Sequence, residues 1–162
     1  MEKIRAKIRT LEALRDEVIR LKHNGRRVVF TNGCFDLLHP GHTSYLCAAR
    51  ALGDYLIVAM NSDRSVRSNK GAGRPVMPED ARAEVLACLG FVDAVVLFDE
   101  DDPLKVIEAL VPDVLAKGAD WKEEDIVGAD VVRSAGGEVQ RIDVVPGYST
   151  TDIIERIRAA GP

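Results

Sequence analysis

The sequence predicts an α/β protein built on a doubly wound parallel sheet of five strands, with helices on both faces. Short apolar runs of strand type alternate with helical patterns about five times, which calls for parallel strands joined by crossover helices. Polar, glycine-containing segments fall at the carboxyl ends of these runs, where open α/β sheets bind ligands: Thr31-Asn32-Gly33, Asn61-Ser62-Asp63, Lys117-Gly118 and Gly147 to Thr151.

The elements follow from local pattern. Ile4, Ile8, Leu11, Leu14, Val18 and Leu21 recur at helical spacing, so residues 2–23 read as one amphipathic helix, stopped at His23-Asn24-Gly25. This divides the chain into an N-terminal helix (1–25) and a main domain (26–162). Arg27 to Thr31 is a strand, broken by Asn32-Gly33. A helix runs from about Gly41 to Leu52, and Tyr55 to Met60 is a buried strand. Ser68 to Pro78, rich in Gly, Pro and basic residues, reads as a mobile loop. Glu79–Leu89 is a helix and Ala94–Phe98 a strand. Pro103–Leu110 is a helix with proline in its first turn. Val114–Ala116 is a strand, Val127–Ala135 a helix, Glu138–Ile142 a strand, and Thr151–Ala159 the last helix.

Composition narrows the function. The formal net charge is −4, so no basic excess points to nucleic acid or an anionic membrane. No apolar run is long enough to span a bilayer. Cys34, Cys47 and Cys88 show no metal-ligand spacing and read as reduced thiols of a cytoplasmic protein.

The chemistry concentrates where the first strand runs into Thr31-Asn32-Gly33-Cys34-Phe35-Asp36-Leu37-Leu38-His39-Pro40-Gly41-His42. Gly33 and Gly41 let backbone approach a ligand, and the helix opening near Gly41 offers its N-terminus to phosphate. Two imidazoles bracket that terminus. A two-histidine zinc site needs a further ligand, for which Cys34 and Asp36 are the only nearby candidates. Neither P-loop nor dinucleotide fingerprint occurs. Lys117 ends a buried strand, where a lysine is costly unless it meets an anion, which favours a phosphate contact. Asp120 follows in the same loop and is suited to accept from hydroxyls. Trp121 either stacks on a ligand or packs in the core. Ser149-Thr150-Thr151 caps the last helix.

Gly33 to His42 resembles the signature of the cytidylyltransferase-like nucleotidyltransferases, a Rossmann-like fold. Asn61-Ser62-Asp63, Gly73-Arg74-Pro75, Arg82 to Leu86, Phe98 to Asp101, Lys117 to Trp121 and Ser149 to Ile154 match in order, so the resemblance spans about residues 26–158. Together they resemble the branch that adenylates D-glycero-β-D-manno-heptose 1-phosphate. The resemblance implies ATP and a sugar 1-phosphate as substrates, with Mg²⁺ on the ATP phosphates. It implies that His39 and His42 stabilise the α-phosphate under attack, with Lys70 closing on the phosphates. Thr31, Asn32, Gly33, Cys34, Phe35, Gly41, Ser149, Thr150 and Thr151 would hold the nucleotide. Asp36, Asn61, Asp63, Arg82, Lys117, Gly118 and Asp120 would serve the second substrate. Asp36 would orient its loop or a metal-bound water, and Arg82 would neutralise phosphate or form a surface pair.

Two departures bear on this. Ala119 stands where the branch has glycine, which matters only if φ there is positive. Many relatives also carry a sugar-kinase domain, which residues 1–25 cannot encode, so a separate kinase is expected to supply the sugar phosphate. The glycerol-3-phosphate cytidylyltransferase branch carries Arg-Thr-x-Gly where this chain has Val144-Val145-Pro146-Gly147, and that absence disfavours it. The intact histidines disfavour a catalytically inactive nucleotide-binding regulator. The apparently spare N-terminal helix suggests a homodimer.

Overall fold

The computed structural model describes residues 1–161. The elements are α1 (Glu2–Arg5), α2 (Leu11–His23), β1 (Val28–Gly33), α3 (Pro40–Arg50), β2 (Tyr55–Asn61), α4 (Asp63–Lys70) and α5 (Glu79–Cys88). They continue with β3 (Ala94–Phe98), α6 (Leu104–Leu110), β4 (Val114–Gly118), a 3-10 turn (Glu123–Asp125), α7 (Ala129–Ser134), β5 (Glu138–Ile142) and α8 (Thr150–Ala159). The five strands form one parallel sheet in the order β3-β2-β1-β4-β5. The order reverses between β1 and β4, so their carboxyl ends flank the crevice that such sheets use for ligands.

Both faces of the sheet are covered, which is why its strands read as continuous apolar runs. Because side chains alternate along a strand, Val28 and Phe30 point to one face and Val29 to the other. The first face packs Leu14 and Val18 of α2, Val106, Ile107 and Leu110 of α6, and Ala129 and Val132 of α7. The second packs Leu46 and Ala49 of α3 and Ala83, Leu86 and Ala87 of α5, with Ile4 and Ile8 against them.

Three expectations are corrected. The single helix over 2–23 is interrupted: Thr10 caps α2 by accepting from Ala13 N–H, and residues 7–9 are drawn onto the sheet edge. There Ile8 bridges Val95 in parallel, Arg9 N–H donates to Val95 C=O, and Val95 N–H donates to Lys7 C=O. Edge hydrogen bonds outcompete continued helix, a tertiary choice that side-chain periodicity does not report. The helix is also not spare, since Leu14 and Val18 are buried, and the motive for a homodimer through it is lost. The expected loop at 68–78 starts late, because Ser62 caps α4 and carries helix to Lys70. Within α4 only Ser65 and Val66 are buried, so no apolar stripe announces it.

Removing the Leu14 side chain should therefore cost as much as a central core truncation. We expect Leu14→Ala to lose about 2–5 kcal/mol in chemical denaturation. Ile19→Ala, on the 58% exposed side of the same helix, should change stability by less than about 0.5 kcal/mol.

Candidate active site

The histidine motif leaves β1 on a turn that Phe35 makes with φ 44°, a left-handed conformation unusual for a side chain of this size. Burial of the ring, 5% exposed and lying against Gly33, holds it there. Asp36 then turns inward. Its carboxylate accepts from the backbone N–H groups of Val76 and Met77 at 2.8–2.9 Å and from Arg74 Nε at 2.7 Å. Burial opposes its charge, but these donors outweigh the burial and hold its pKa below the ordinary range. Asp36 thus orients its loop, tying the motif to residues 74–77.

His39 is the N-cap of α3, yet its side chain makes no capping hydrogen bond, and Pro40 occupies the first turn. The imidazoles of His39 and His42 stack with centroids 3.9 Å apart and planes 25° apart. Glycine at 41 relieves a tight contact, since a Cβ there would lie 3.0 Å from His39 Cε1 and Nδ1 and the ring would have to give way. Phe35 backs the inner side of His42 at 5.4 Å, and Tyr148 stacks beyond His39 at 6.3 Å and 17°. Desolvation, then the neighbouring His39, pushes the His42 pKa down to about 4, and desolvation lowers that of His39. Nδ1 of each ring is buried without a partner. Burial outweighs the opposing hydrogen bond of the His42 ring to the Leu37 carbonyl, so the site favours neutral rings.

Arg82 is the organising cation. Only 1% exposed, it donates from Nε to Met77 C=O at 3.0 Å, from Nη1 to the carbonyls of Cys34 at 2.6 Å and Asn61 at 3.0 Å, and from Nη2 to Asp63 Oδ1 at 2.6 Å. The surface pair considered from sequence is thereby overturned, because a burial this complete leaves the guanidinium no exposed surface. Asn61 is also buried and donates to Ser65 Oγ at 2.9 Å. Cys34 is half-buried, with its thiol pKa raised by desolvation against the lowering influence of Lys70, Arg82 and Arg74. Lys70, exposed on the last turn of α4, lies close enough for its charge to favour the Cys34 thiolate.

On the other side of the switch point, Lys117 Nζ donates to Asn32 Oδ1 at 2.8 Å, bridging β4 to β1. Trp121 lies 4.7 Å from Nζ and is 46% exposed, so it covers the lysine rather than joining the core. Desolvation drives the Lys117 pKa down to about 8, against a partial counter-effect from Asp120. At Gly118 a Cβ would crowd the Asp120 carboxylate, which would have to swing aside. Ala119 is not among the positive-φ residues, so its methyl group is harmless. Thr31 is fully buried, with its hydroxyl 2.7 Å from that of Tyr45. Ser149 Oγ accepts from Asp152 N–H at 3.0 Å, leaving Thr150 and Thr151 in the first turn of α8.

Sequence reasoning missed the partners that hold these groups. Arg74 stood in a quoted motif without a role, and Tyr148 was passed over although it sits between the turn glycine and the helix cap. All three cysteines are free thiols. Among the described residues, no cluster of three His, Cys, Asp or Glu side chains forms a metal cage, so the zinc alternative finds no third ligand. Among them also, no helix is long and apolar enough to cross a membrane.

Residues 30–156 match the cytidylyltransferase-like family, and the chain belongs to it as a nucleotidyltransferase. It is 55% identical over 152 residues to the bifunctional protein HldE of Syntrophotalea carbinolica, and 56% identical over 153 residues to that of Geotalea uraniireducens. The matches cover 94% of this chain but 31% of each relative, so the chain spans about a third of the length of those proteins. Among solved structures, it resembles the lipopolysaccharide core biosynthesis protein of Thermoplasma volcanium, with TM-score 0.62 and 30% identity, covering 75% of this chain and 98% of that one.

The His42 environment has a pH signature. An ordinary imidazole titrates near 6.5 and this one near 4, so between those values the unfolded chain binds a proton that the folded chain refuses. The stabilising contribution is complete above pH 6.5 and is lost as pH falls towards 4. His42→Asn should remove it. The stability difference between wild type and variant, followed by urea denaturation from pH 7 to 4.5, should shrink by about 2 kcal/mol. A difference independent of pH would refute the buried neutral ring.

Proposed function

We propose that the chain transfers AMP from ATP to D-glycero-β-D-manno-heptose 1-phosphate, giving ADP-heptose and pyrophosphate for surface-glycan precursor synthesis. The observation that carries this reading is a pair of stacked imidazoles at a helix N-terminus without a side-chain cap, across the switch point from a buried lysine. Its branch rests on the ordered motifs from Gly33 to Ile154, on 55% identity to HldE, and on the likeness to a lipopolysaccharide core biosynthesis protein.

A phosphate oxygen of the sugar 1-phosphate attacks the α-phosphorus in line, the bond to the bridging oxygen breaks, and pyrophosphate leaves. The nucleophile is already anionic at neutral pH, so no strong base is required. The protein's task is to bring two polyanions together and to spread charge on the α-phosphate. His39 and His42 donate through Nε2–H, and the α3 N-terminus adds its dipole. Lys70 approaches the leaving phosphates. Lys117 meets the sugar phosphate, with Asp120 beside it for hydroxyls. Ser149 to Thr151 hold the nucleotide from α8. Mg²⁺ bound to the triphosphate would supply charge neutralisation there. The sugar arrives already phosphorylated. A homodimer, if formed, has the exposed face of α8 available, where Ile157 is 64% exposed.

Two results would check this. His42→Ala should lower turnover by about a hundredfold or more without unfolding the protein, measured as pyrophosphate release from ATP with the sugar 1-phosphate. CTP should be a poor substitute, and CTP turnover equal to ATP would reassign the branch. Lys117→Met separates the two substrates. Its folded pKa lies below the ordinary lysine value, so the charge costs stability at neutral pH, where the full penalty applies. The variant should be more stable than wild type, while its KM for the sugar phosphate rises roughly ten- to a hundredfold. A loss of ATP affinity instead would move Lys117 to the triphosphate.

A further inference from the structure

We infer that Tyr148 is a positioning residue for His39: its ring closes the outer end of a four-ring column and fixes the orientation of the imidazole. The inference rests on the reading of His39 as part of the reaction, and deepens it.

The column runs from interior to surface. Phe35, 5% exposed, contacts His42 at 5.4 Å; His42 stacks on His39 at 3.9 Å; Tyr148, 45% exposed, stacks beyond His39 at 6.3 Å with planes 17° apart. Each inner ring is held by its neighbours. His42 is on a helix and backed by a buried phenyl group. His39 lacks such backing, for it is the cap residue, its side chain makes no capping hydrogen bond, and its Nδ1 has no partner. No hydrogen bond therefore fixes its ring. What constrains it is its ring neighbours, His42 stacked at 3.9 Å and the near-parallel Tyr148 at 6.3 Å.

The loop that delivers Tyr148 is anchored for this. Gly147 has φ +80°, a left-handed turn that only glycine adopts without strain, and Ser149 is locked as the α8 cap. Tyr148 lies between these fixed points. Its Cβ sits 3.4 Å from the place a Cβ would occupy on Gly41, so the loop rests on the α3 N-terminus. The missing side chain of Gly41 admits both His39 and Tyr148. Near-parallel aromatic pairs at this separation are weakly attractive. The titratable groups facing His39 are His42 from its own helix and the Tyr148 phenol from the loop, and burial is what depresses its pKa.

The test compares Tyr148→Ala with Tyr148→Phe in the intact protein, with urea denaturation confirming that each is folded. His39 is followed by NMR titration of its ring protons, assigned with His39→Ala. Turnover is measured as pyrophosphate release with ATP and the sugar 1-phosphate, resolving kcat from KM. Tyr148→Ala should raise the His39 midpoint towards the ordinary imidazole value and lower kcat about tenfold, with less than about threefold change in either KM. Tyr148→Phe should restore both, because the ring and not the hydroxyl does the positioning. An unchanged His39 titration in Tyr148→Ala overturns the proposal. So does a Phe variant as impaired as the Ala variant, which would make the hydroxyl a ligand contact. If His39→Ala itself retains turnover, the reading of the site fails, whereas the NMR response to Tyr148→Ala still decides the positioning.

Discussion

Arg82 carries a full positive charge with 1% of its surface exposed, and the loops bearing the site are arranged around the need to satisfy it. Its partners come from the turn after β1, the end of β2, the start of α4 and the segment before α5. Leaving any of these acceptors unpaired in the interior would be costly, so the four segments share one geometry. Asp36 works in the same sense from the opposite sign, gathering two backbone donors and Arg74. The positions of the histidines are thus set by buried polar groups that need not touch a ligand themselves.

The crevice at the reversal of strand order is held differently. There the protein keeps charge and rings in unfavourable surroundings: a lysine with one amide partner, and two imidazoles with buried, unpaired nitrogens. Of these, the lysine ammonium is the group that a polyanion would relieve. The apolar sheet below, covered on both faces, supplies the rigidity that lets such groups persist.

Most of the fold was legible because strands buried on both faces leave long apolar runs between turn signals. All five strands and the parallel arrangement could be read, and β3 and β5 begin and end where the pattern puts them. The break in the N-terminal helix was not legible, since Ile4, Ile8 and Leu11 keep helical spacing while the backbone between them bonds to Val95. Nor was α4, whose Asp-Arg-Ser-Val-Arg-Ser-Asn-Lys run has no apolar stripe. In the site, motif spacing identified His39, His42 and Lys117 as functional candidates. It could not tell that Arg82 is buried, that Thr31 faces Tyr45, or that Tyr148 lies over His39, because each depends on which strand ends the topology brings together.

The interrupted N-terminus has a consequence for the solution behaviour of the sheet. β3 is an outer strand, and an outer strand offers unpaired N–H and C=O groups to any other chain with a free edge. Residues 7–9 occupy Val95 from that side by donating and accepting one hydrogen bond each, and Lys7 Nζ further donates to the carbonyls of Leu89 and Val92 just before the strand. The segment acts as a selvedge: it finishes the weave with too little strand of its own to seed another row, and it places a charged side chain where a recruiting chain would have to dock.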